Sequence, residues 1–412
     1  MSRVARSLRA QLLWTPDGSS LVHEPDAWLA WDDHGRLIAV ERWSGQRIDA
    51  DLRPSVLTPG FVDSHVHYPQ TRAIGRASGT LLDWLEQSIF PEEARFVDAD
   101  YAHAVADEFM ENSLRNGTTA AFAYGPAFAE ATDTLFARAE ARGLRLLAGP
   151  ALMERDAPAE LCIEMDTAFA RLDGLRLRWH GRGGGRLRVA VIPRFALSCD
   201  PPMLARAGAY AREHDLFVGT HLGETTDEYA EACRRFAAAD YLEVYERFGL
   251  VHGKSVYAHC IHLTSGEWER LARSEAIVAH CPDSNAFLGS GSMPVSQAMS
   301  NGIRVTLGSD VAAGRQFSMP AHGSQAFDNG LRDGMRLPLT RIFGWMTTPA
   351  ARDLGFASGA GLRVGAPADL VEHELEGGDA ETLLAQLLFA PEHRRVRRVW
   401  VDGHLRWGED LA

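Results

Sequence analysis

Two histidines spaced as His-x-His are the first residues in this 412-residue sequence whose type and spacing indicate chemistry. His65 and His67 end a short apolar run, and residues i and i+2 of a β-strand point to the same side. Both imidazoles can therefore bind one metal ion. His221, His259 and Asp310 each lie at the end of another short apolar run. Nitrogen and oxygen ligands of this kind suit zinc or iron with one position left open for water.

The apolar runs that carry these residues are spaced like the strands of a parallel α/β fold. Eight short runs alternate with helix-like segments over about 250 residues. This alternation predicts a (β/α)8 barrel of the TIM type. The active site of such a barrel lies at the C-terminal ends of its strands, so the candidate ligands should meet there. The predicted strands span residues 60–67, 118–124, 145–151, 187–195, 217–222, 255–259, 276–281 and 303–310.

The two ends of the chain have a different pattern from the middle. Short strand-like runs separated by turns occur before residue 58 and again after residue 369. Unlike the runs in the middle of the chain, those before residue 58 are not separated by long helical segments. We therefore expect one small β-sandwich domain assembled from both termini. Its predicted parts are residues 1–58 and 362–412, and the barrel is predicted to occupy residues 59–361.

Composition and charge fit an ordinary globular protein and exclude some partners. Hydrophobic residues make up 46% and charged residues 24%, and the formal net charge is −13. A negative protein repels polyanions, so we expect neither nucleic acid nor a membrane surface as a partner. Five scattered cysteines argue against a disulfide framework. With no signal-peptide core and no apolar run long enough to span a membrane, we expect a cytoplasmic location.

The use of lysine distinguishes two designs of metal site. Many barrel hydrolases hold two metals bridged by a carbamylated lysine at the end of the fourth strand. Lys254 is the only lysine here, and it precedes the sixth predicted strand. The fourth predicted strand contains none. The sequence therefore predicts a mononuclear site, with one metal ion per chain.

Longer motifs surround these residues. The segment PGFVDSHVHYPQ occupies residues 59–70, and LLDWL and FPEEARF follow within residues 81–96. The other motifs are PRF, HLGE, HCPDSN and LGSG, at residues 193–195, 221–224, 280–285 and 288–291. Together they resemble the guanine deaminases, in the mononuclear deaminase branch of the amidohydrolase superfamily. The resemblance covers roughly residues 55–320, and the stretch from Trp84 to Phe96 is its most specific part.

The resemblance implies a zinc-dependent enzyme that hydrolyses guanine to xanthine and ammonia. Asp310 would accept a proton from the attacking water, and Glu224 would protonate a ring nitrogen. His259 would contact the water and stabilise the tetrahedral centre. The alternative for Glu224 is a solvated carboxylate at a helix start. The metal ligands implied for Zn²⁺, or for Fe²⁺ in its place, are His65, His67, His221 and Asp310.

The resemblance also implies contacts to a small purine substrate. Gln70 and Arg194 would contact the polar edge of the purine, and Phe195 would pack near its ring, while His221 and His259 would border the substrate. The alternatives are a rim salt bridge for Arg194 and core packing for Phe195. Trp84 and Phe96 fit either a lid or buried packing. Barrel enzymes of this type are often dimers, and a homodimer is implied.

Two other functions remain open at this point. The first keeps the enzyme class and changes the substrate to another amino-substituted purine, a pterin or a triazine-like heterocycle. Arg315 and the loop at residues 75–80 depart from the family pattern and could redirect the enzyme in this way. The second is a non-catalytic scaffold, although such proteins typically lose the metal ligands that this sequence retains.

Overall fold

The computed structural model of the chain describes residues 4–76 and 79–410. No helix within these two ranges is long and apolar enough to cross a membrane. The strands are β1 (Arg6–Trp14), β2 (Val22–Trp31), β3 (Leu37–Arg42), β4 (Ala50–Pro59), β5 (Phe61–His67), β6 (Thr118–Gly125), β7 (Arg145–Leu152), β8 (Leu187–Pro193), β9 (Phe217–Leu222), β10 (Ser255–His259), β11 (Ile277–His280), β12 (Arg304–Leu307), β13 (Leu370–Glu374), β14 (Arg395–Val401) and β15 (His404–Trp407).

Helices separate most of the strands in the middle of the chain. One of them, α6, is a single irregular turn, because Gly183 and Gly184 within it have positive φ values. The helices are α1 (Leu81–Trp84), α2 (Phe90–Ala94), α3 (Ala99–Arg115), α4 (Ala129–Arg142), α5 (Met165–Trp179), α6 (Arg182–Gly185), α7 (Pro201–Glu213), α8 (Thr226–Phe236), α9 (Tyr241–Arg247), α10 (Ser265–Ser274), α11 (Pro282–Phe287), α12 (Val295–Ser300), α13 (Met319–Arg332), α14 (Leu339–Trp345), α15 (Thr348–Asp353) and α16 (Ala380–Phe389).

Strands β5 to β12 form one eight-stranded sheet in sequential order, so the predicted (β/α)8 barrel is confirmed. Each predicted run coincides with one of these strands, with bounds that differ by at most three residues. The chain after β12 closes the barrel against β5. The Asp310 N–H donates to the His65 carbonyl at 2.8 Å, and the His67 N–H donates to the Val311 carbonyl at 3.3 Å. These bonds hold side by side the two strand ends that carry candidate metal ligands.

The interior of the barrel is filled by side chains that alternate along the strands. Phe122 and Tyr124, two residues apart on β6, belong to one buried cluster with Ile192 of β8. Gly219 of β9 leaves room for them, since a Cβ at this position would lie 2.6 Å from the Phe122 ring. The barrel is thus a packed core and not a channel, which leaves its strand ends as the place for chemistry.

The strands at the two ends of the chain form a seven-stranded sheet in the order β15-β14-β13-β4-β1-β2-β3. This arrangement confirms a terminal β domain built from both ends. Its apolar side chains form a separate buried cluster that includes Leu12, Trp31 and Trp400. Arg145 of β7 joins the barrel to this sheet through ion pairs with Asp369 at 2.5 Å and Asp402 at 2.6 Å.

Between β5 and α3 the chain makes an excursion that contains α1 and α2. Thr80 caps the N-terminus of α1 with a capping box. Its hydroxyl accepts from the Asp83 N–H, and the Asp83 carboxylate accepts from the Thr80 N–H. A single π-turn, Leu85–Ile89, then connects α1 to α2. Turns of this kind occur frequently at functional sites. Leu81, Trp84 and Leu85 line the cavity described below, so the excursion borders the strand ends.

Candidate active site

Three imidazoles and one carboxylate meet at the C-terminal end of the barrel. The four side chains are buried, and one donor atom of each lies within 4.8 Å of the others. Asp310 Oδ1 is 3.2 Å from His65 Nε2 and 3.4 Å from His67 Nε2. The Nε2 atoms of His67 and His221 are 3.2 Å apart. The structure therefore brings together the four residues predicted as metal ligands.

The backbone around these residues explains their close approach. Gly308 precedes Asp310 by two residues, and a Cβ there would lie 2.7 Å from the Cβ of His65. A side chain at this position would push β12 away from β5. The Arg194 carbonyl, just after β8, lies 2.6 Å from Nδ1 of His221 on β9 and accepts its proton. This bond fixes the ring and turns His221 Nε2 towards the cluster, which is how metal-binding histidines are commonly oriented.

The donor set fits a single metal ion. Both ring nitrogens of His65 are buried, and neither makes a hydrogen bond of good geometry within the described chain. Burial lowers the pKa values of His65, His67 and His221, so these imidazoles are held in the neutral form that binds a metal. Burial alone would raise the pKa of Asp310, but the hydrogen bond and charge of His65, with smaller contributions from His259 and His67, outweigh burial and lower this pKa.

Glu224, His259 and Asp310 form a second buried group next to the cluster. His259 Nε2 lies 3.4 Å from Glu224 Oε2 and 3.8 Å from Asp310 Oδ2. On its other side, His259 Nδ1 donates to Asn285 Oδ1 at 2.8 Å, which sets the orientation of the ring. Burial raises the pKa of Glu224 to about 7, against an ordinary value near 4.5. A carboxyl group in this state can both donate and accept a proton near neutral pH.

Glu224 is a buried residue of the site and not the solvated helix-start carboxylate that was the alternative. It lies just before α8, where Thr225 provides a capping box with Glu228. The Glu228 carboxylate accepts from the Glu224 N–H at 2.9 Å, and the Ser290 hydroxyl donates to Glu224 Oε1 at 3.1 Å. The helix start is thus capped by other groups, which leaves the Glu224 side chain free to face His259.

A small cavity, with room for about 30 Å³ of solvent, lies over these groups. Gln70 and Arg194 form part of its wall, and a buried carboxylate fixes both of them. Glu93 Oε1 accepts from Gln70 Nε2 at 3.0 Å, and Glu93 Oε2 accepts from Arg194 Nη1 at 2.6 Å. The other lining residues include His67, His221, Glu224, His259, Asp310, Leu81, Trp84, Leu85, Phe195 and Leu288.

Two aromatic residues of the sequence analysis differ in their positions. Trp84 lines the cavity, and its indole N–H donates to the Arg76 carbonyl at 2.6 Å. Phe96 instead packs against Tyr68, with ring centroids 5.3 Å apart, and belongs to the core. Trp84 therefore lies where a lid residue would be. Phe96 is buried in the core, which was the other option given for it above.

The comparisons with known proteins agree with this fold. A family model described as the amidohydrolase family matches residues 56–406. The chain belongs to the amidohydrolase family. The probable guanine deaminase of Deinococcus radiodurans is 39% identical over 370 residues, which cover 86% of this chain and 84% of that relative.

Two solved structures are similar over almost the whole chain. The guanine deaminase of E. coli has a TM-score of 0.92 and 30% identity, covering 98% of this chain and 100% of that one. The guanine deaminase of C. acetobutylicum, solved with guanine bound in its active site, has a TM-score of 0.91 and 26% identity over 97% of this chain and 99% of that one. The family resemblance inferred from the motifs is confirmed by these matches.

The structure does not support a substrate contact by Arg315. The Arg315 guanidinium pairs with the buried carboxylate of Asp283 and does not line the cavity. The arginine is therefore neutralised where it lies, because a fully buried carboxylate needs a partner. The prediction for the loop at residues 75–80 lies partly outside the described residues, because residues 77 and 78 are not among them.

Three polar residues of the site were not predicted from the sequence. Glu93 fixes Gln70 and Arg194, Asn285 orients His259, and Ser290 donates to Glu224. Each lies inside a motif that carries the family resemblance. The motifs were therefore the available signal, but they could not say which partner each residue contacts.

Proposed function

We propose that this protein is a metal-dependent hydrolase that converts guanine and water to xanthine and ammonia. The observation that carries the proposal is the buried Glu224–His259–Asp310 group, which adjoins three neutral imidazoles and faces a small cavity. Guanine deaminases match this chain in sequence and in structure, which supports guanine over other amino-heterocycles. A non-catalytic scaffold would not need to keep this arrangement.

The metal is proposed to be one Zn²⁺ per chain, held by His65, His67, His221 and Asp310. Fe²⁺ accepts the same nitrogen and oxygen ligands, so it is the alternative ion. The end of β8 offers Pro193 and Arg194 in place of a bridging lysine, which supports a mononuclear site. When bound, zinc lowers the pKa of a coordinated water towards about 7 and thereby supplies a nucleophile at neutral pH.

The chain's own residues then move the protons of the reaction. Asp310 accepts a proton as water adds to C2 of guanine, and it later passes a proton to the departing amine. Glu224, with a pKa near 7, protonates a ring nitrogen as the C2–N double-bond character is lost. His259 lies between the two carboxylates and contacts the oxygen that adds to C2. Breakage of the exocyclic C2–N bond releases ammonia, and the second proton of the added water returns to Glu224 as the C2 carbonyl forms, which leaves xanthine.

Substrate binding is proposed to use residues of the cavity wall. Gln70 and Arg194 contact the polar edge of the purine, and Phe195 packs on its ring. His221 and His259 border the reacting carbon. Glu93 supports this assignment, because it holds both polar side chains in fixed positions before any substrate enters.

The biological setting is also a proposal. We infer a homodimeric, cytoplasmic enzyme of purine catabolism that binds a small purine and neither nucleic acid nor a membrane. The net charge of −13 supports the absence of polyanionic partners, and the five free cysteines support a reducing compartment. The domain division is proposed as residues 1–58 with 362–412 for the β domain and 59–361 for the barrel.

A substrate panel tests this function. The metal-loaded protein is assayed for ammonia release from guanine, adenine, pterin and a diamino-triazine. We expect kcat/KM for guanine to exceed that for every other compound by about 100-fold or more, since a site built to pair a specific polar edge discriminates strongly. A higher kcat/KM for another compound would overturn guanine as the preferred substrate, while the assignment as a deaminase would stand. Turnover of none by protein with a full complement of metal would overturn the enzyme.

A further inference from the structure

A second cavity lies outside the active site and shares no lining residue with it. Its volume is about 660 Å³, within the range of small-molecule sites. The wall combines the start of β5, the end of α3, the start of α13 and the C-terminal strands β13 to β15. It is therefore a recess between the barrel and the terminal sheet, formed by residues far apart in sequence.

The charge of this second cavity is opposite to that of the chain. Five arginines line it against one carboxylate, whereas the whole chain has a net charge of −13. A concave site of one sign focuses the field and attracts counter-ions. The lining arginines are Arg115, Arg394, Arg395, Arg397 and Arg398, and the carboxylate is Glu409.

Three of the arginines have no carboxylate partner among the residues that the structure describes. Arg397 pairs with Glu374 at 2.8 Å and Arg398 pairs with Glu372 at 2.7 Å. Arg115 donates only to the amide oxygen of Asn112. The remaining two, Arg394 and Arg395, form no ion pair within residues 4–76 and 79–410.

Arg394 is the most informative of these groups because it is half-buried. Its guanidinium donates to the Leu387 carbonyl at 2.5 Å and to the Ser318 hydroxyl at 3.0 Å, but to no anion. Burial lowers its pKa to about 10, in contrast to the raised pKa of Arg397, which has a carboxylate partner. A charge that is partly desolvated without a counter-charge costs free energy, which an anion in the cavity would offset.

The start of α13 adds a second source of positive potential. Ser318 and Pro320 line the cavity at the N-terminus of this 14-residue helix. The Ser318 side chain makes no capping bond to the helix, since its hydroxyl accepts from Arg394 instead. The dipole of the helix favours an anion at such a terminus. Trp407 supplies a flat aromatic wall on another side.

We propose that this cavity binds a small molecule bearing phosphate groups, held by Arg394, Arg395 and Arg115. Guanidinium groups match phosphate oxygens in bidentate geometry, and several arginines around one recess favour an anion with more than one charge. The volume of this recess fits a small ligand. Inorganic pyrophosphate and a nucleoside phosphate share this chemistry, and the aromatic wall of Trp407 would add affinity only for the latter.

The proposal is tested by calorimetric titration of the metal-loaded protein, saturated with xanthine, with pyrophosphate and separately with guanosine monophosphate. We expect saturable binding of at least one probe and a fall in affinity with added salt. Tighter binding of the nucleotide identifies a nucleoside phosphate as the natural class, and tighter binding of pyrophosphate identifies an inorganic one. The absence of saturable binding of either probe up to about 10 mM overturns the proposal.

Variants locate the site. Arg394→Gln and Arg395→Gln are each expected to weaken binding by about tenfold or more. Arg273→Gln, at an exposed arginine of α10, should leave the affinity unchanged. Arg395 is exposed, so its variant decides the matter if Arg394→Gln fails to fold. Affinity that is insensitive to the cavity variants contradicts the proposal.

Discussion

The carboxylate of Asp310, which follows the last strand of the barrel, lies 3.2 Å from the imidazole of His65 near the end of the first strand. The backbone N–H of Asp310 also donates to the His65 carbonyl at 2.8 Å. The place where the barrel closes is therefore also the place where the metal ligands meet. A metal bound there would join the two ends of the barrel as well as serve the reaction.

This relationship predicts a linked loss of metal, activity and stability. Asp310→Asn should reduce the metal content well below one ion per chain, abolish deamination and lower the melting temperature, because the bound ion stabilises only the folded state. Elemental analysis, the guanine assay and a thermal melt measure the three effects. Asp215→Asn, a surface residue paired with Lys254, is the control and should change none of them. Full metal binding by Asp310→Asn would contradict the ligand assignment.

Glu93 is predicted to position the substrate-binding side chains. Glu93→Gln removes the charge that holds Arg194 and should lower kcat/KM for guanine by about 10-fold to 100-fold, with metal content unchanged. Most of the effect should appear in KM, since Gln70 and Arg194 line the cavity without contacting the metal ligands' donor atoms. Steady-state kinetics measure this.

The adjacent Glu92 provides a matched control for Glu93. It is equally buried, but its carboxylate contacts Arg76, Arg95 and Tyr101 instead of the two polar residues of the cavity wall. Glu92→Gln should therefore affect folding stability more than KM. Equal effects of the two substitutions on KM would show that Glu93 has only a structural role.

Part of the site could be predicted from the sequence because strand ends converge in a barrel. His65 and His67 lie on one face of their strand, because side chains alternate with a period of two residues. His221 lies near the C-terminal end of β9, and Asp310 follows β12. These positions follow from local pattern and one fold rule. The eight strands themselves were predictable for the same reason, since buried strands of a parallel sheet give continuous apolar runs.

The contacts of Glu93 and Asn285 could not be predicted in this way. Glu93 reaches Arg194 across 101 residues of sequence, and its helix belongs to an excursion whose docking depends on tertiary packing. Asn285 lies on α11 and reaches His259 on β10. No periodicity specifies such pairs. Arg315 is the opposite case, in which a sequence pattern suggested a contact that the structure does not contain. Its position near Asp310 in sequence suggested a role in substrate choice, but its guanidinium pairs with Asp283.

Asn285 is predicted to orient His259. Asn285→Ala removes the acceptor of the His259 Nδ1 proton and should lower kcat by about 10-fold to 100-fold, with little change in KM. Asn285→Asp retains an acceptor and should recover part of the activity. Asn301→Ala, at the end of α12, is the neutral control. If Asn285→Ala keeps the wild-type kcat, the orientation of His259 does not depend on this bond.

The pKa of Glu224 predicts a pH-dependent difference in stability for the metal-free protein. Burial raises this pKa to about 7 from 4.5, so ionisation of the folded carboxyl is unfavourable and its cost develops as the pH rises from 4.5 to 7. Glu224→Gln removes the cost. Below pH 4.5 the variant and the wild type should be equally stable, and above pH 7 the variant should be more stable by about 3 kcal/mol.

Urea unfolding of metal-free protein at pH 4, 6 and 8 measures the difference between Glu224→Gln and the wild type. Comparing the two proteins at each pH cancels the titration of groups distant from Glu224. His259 is the exception, because the Glu224 carboxylate raises its pKa and the substitution removes that effect. Glu213→Gln, on an exposed glutamate at the end of α7, should show no such trend. A constant difference at all three pH values would show that the Glu224 carboxyl is not raised in pKa by burial.

The most direct test of the central claim is the stoichiometry of the reaction with guanine. Metal-analysed protein is mixed with guanine near neutral pH, guanine and xanthine are followed by ultraviolet absorption, and ammonia is assayed in the same samples. We expect equal amounts of guanine consumed, xanthine formed and ammonia released, with the reaction abolished by Glu224→Gln and by removal of the metal. Unchanged guanine in the presence of protein carrying about one metal ion per chain would contradict the account.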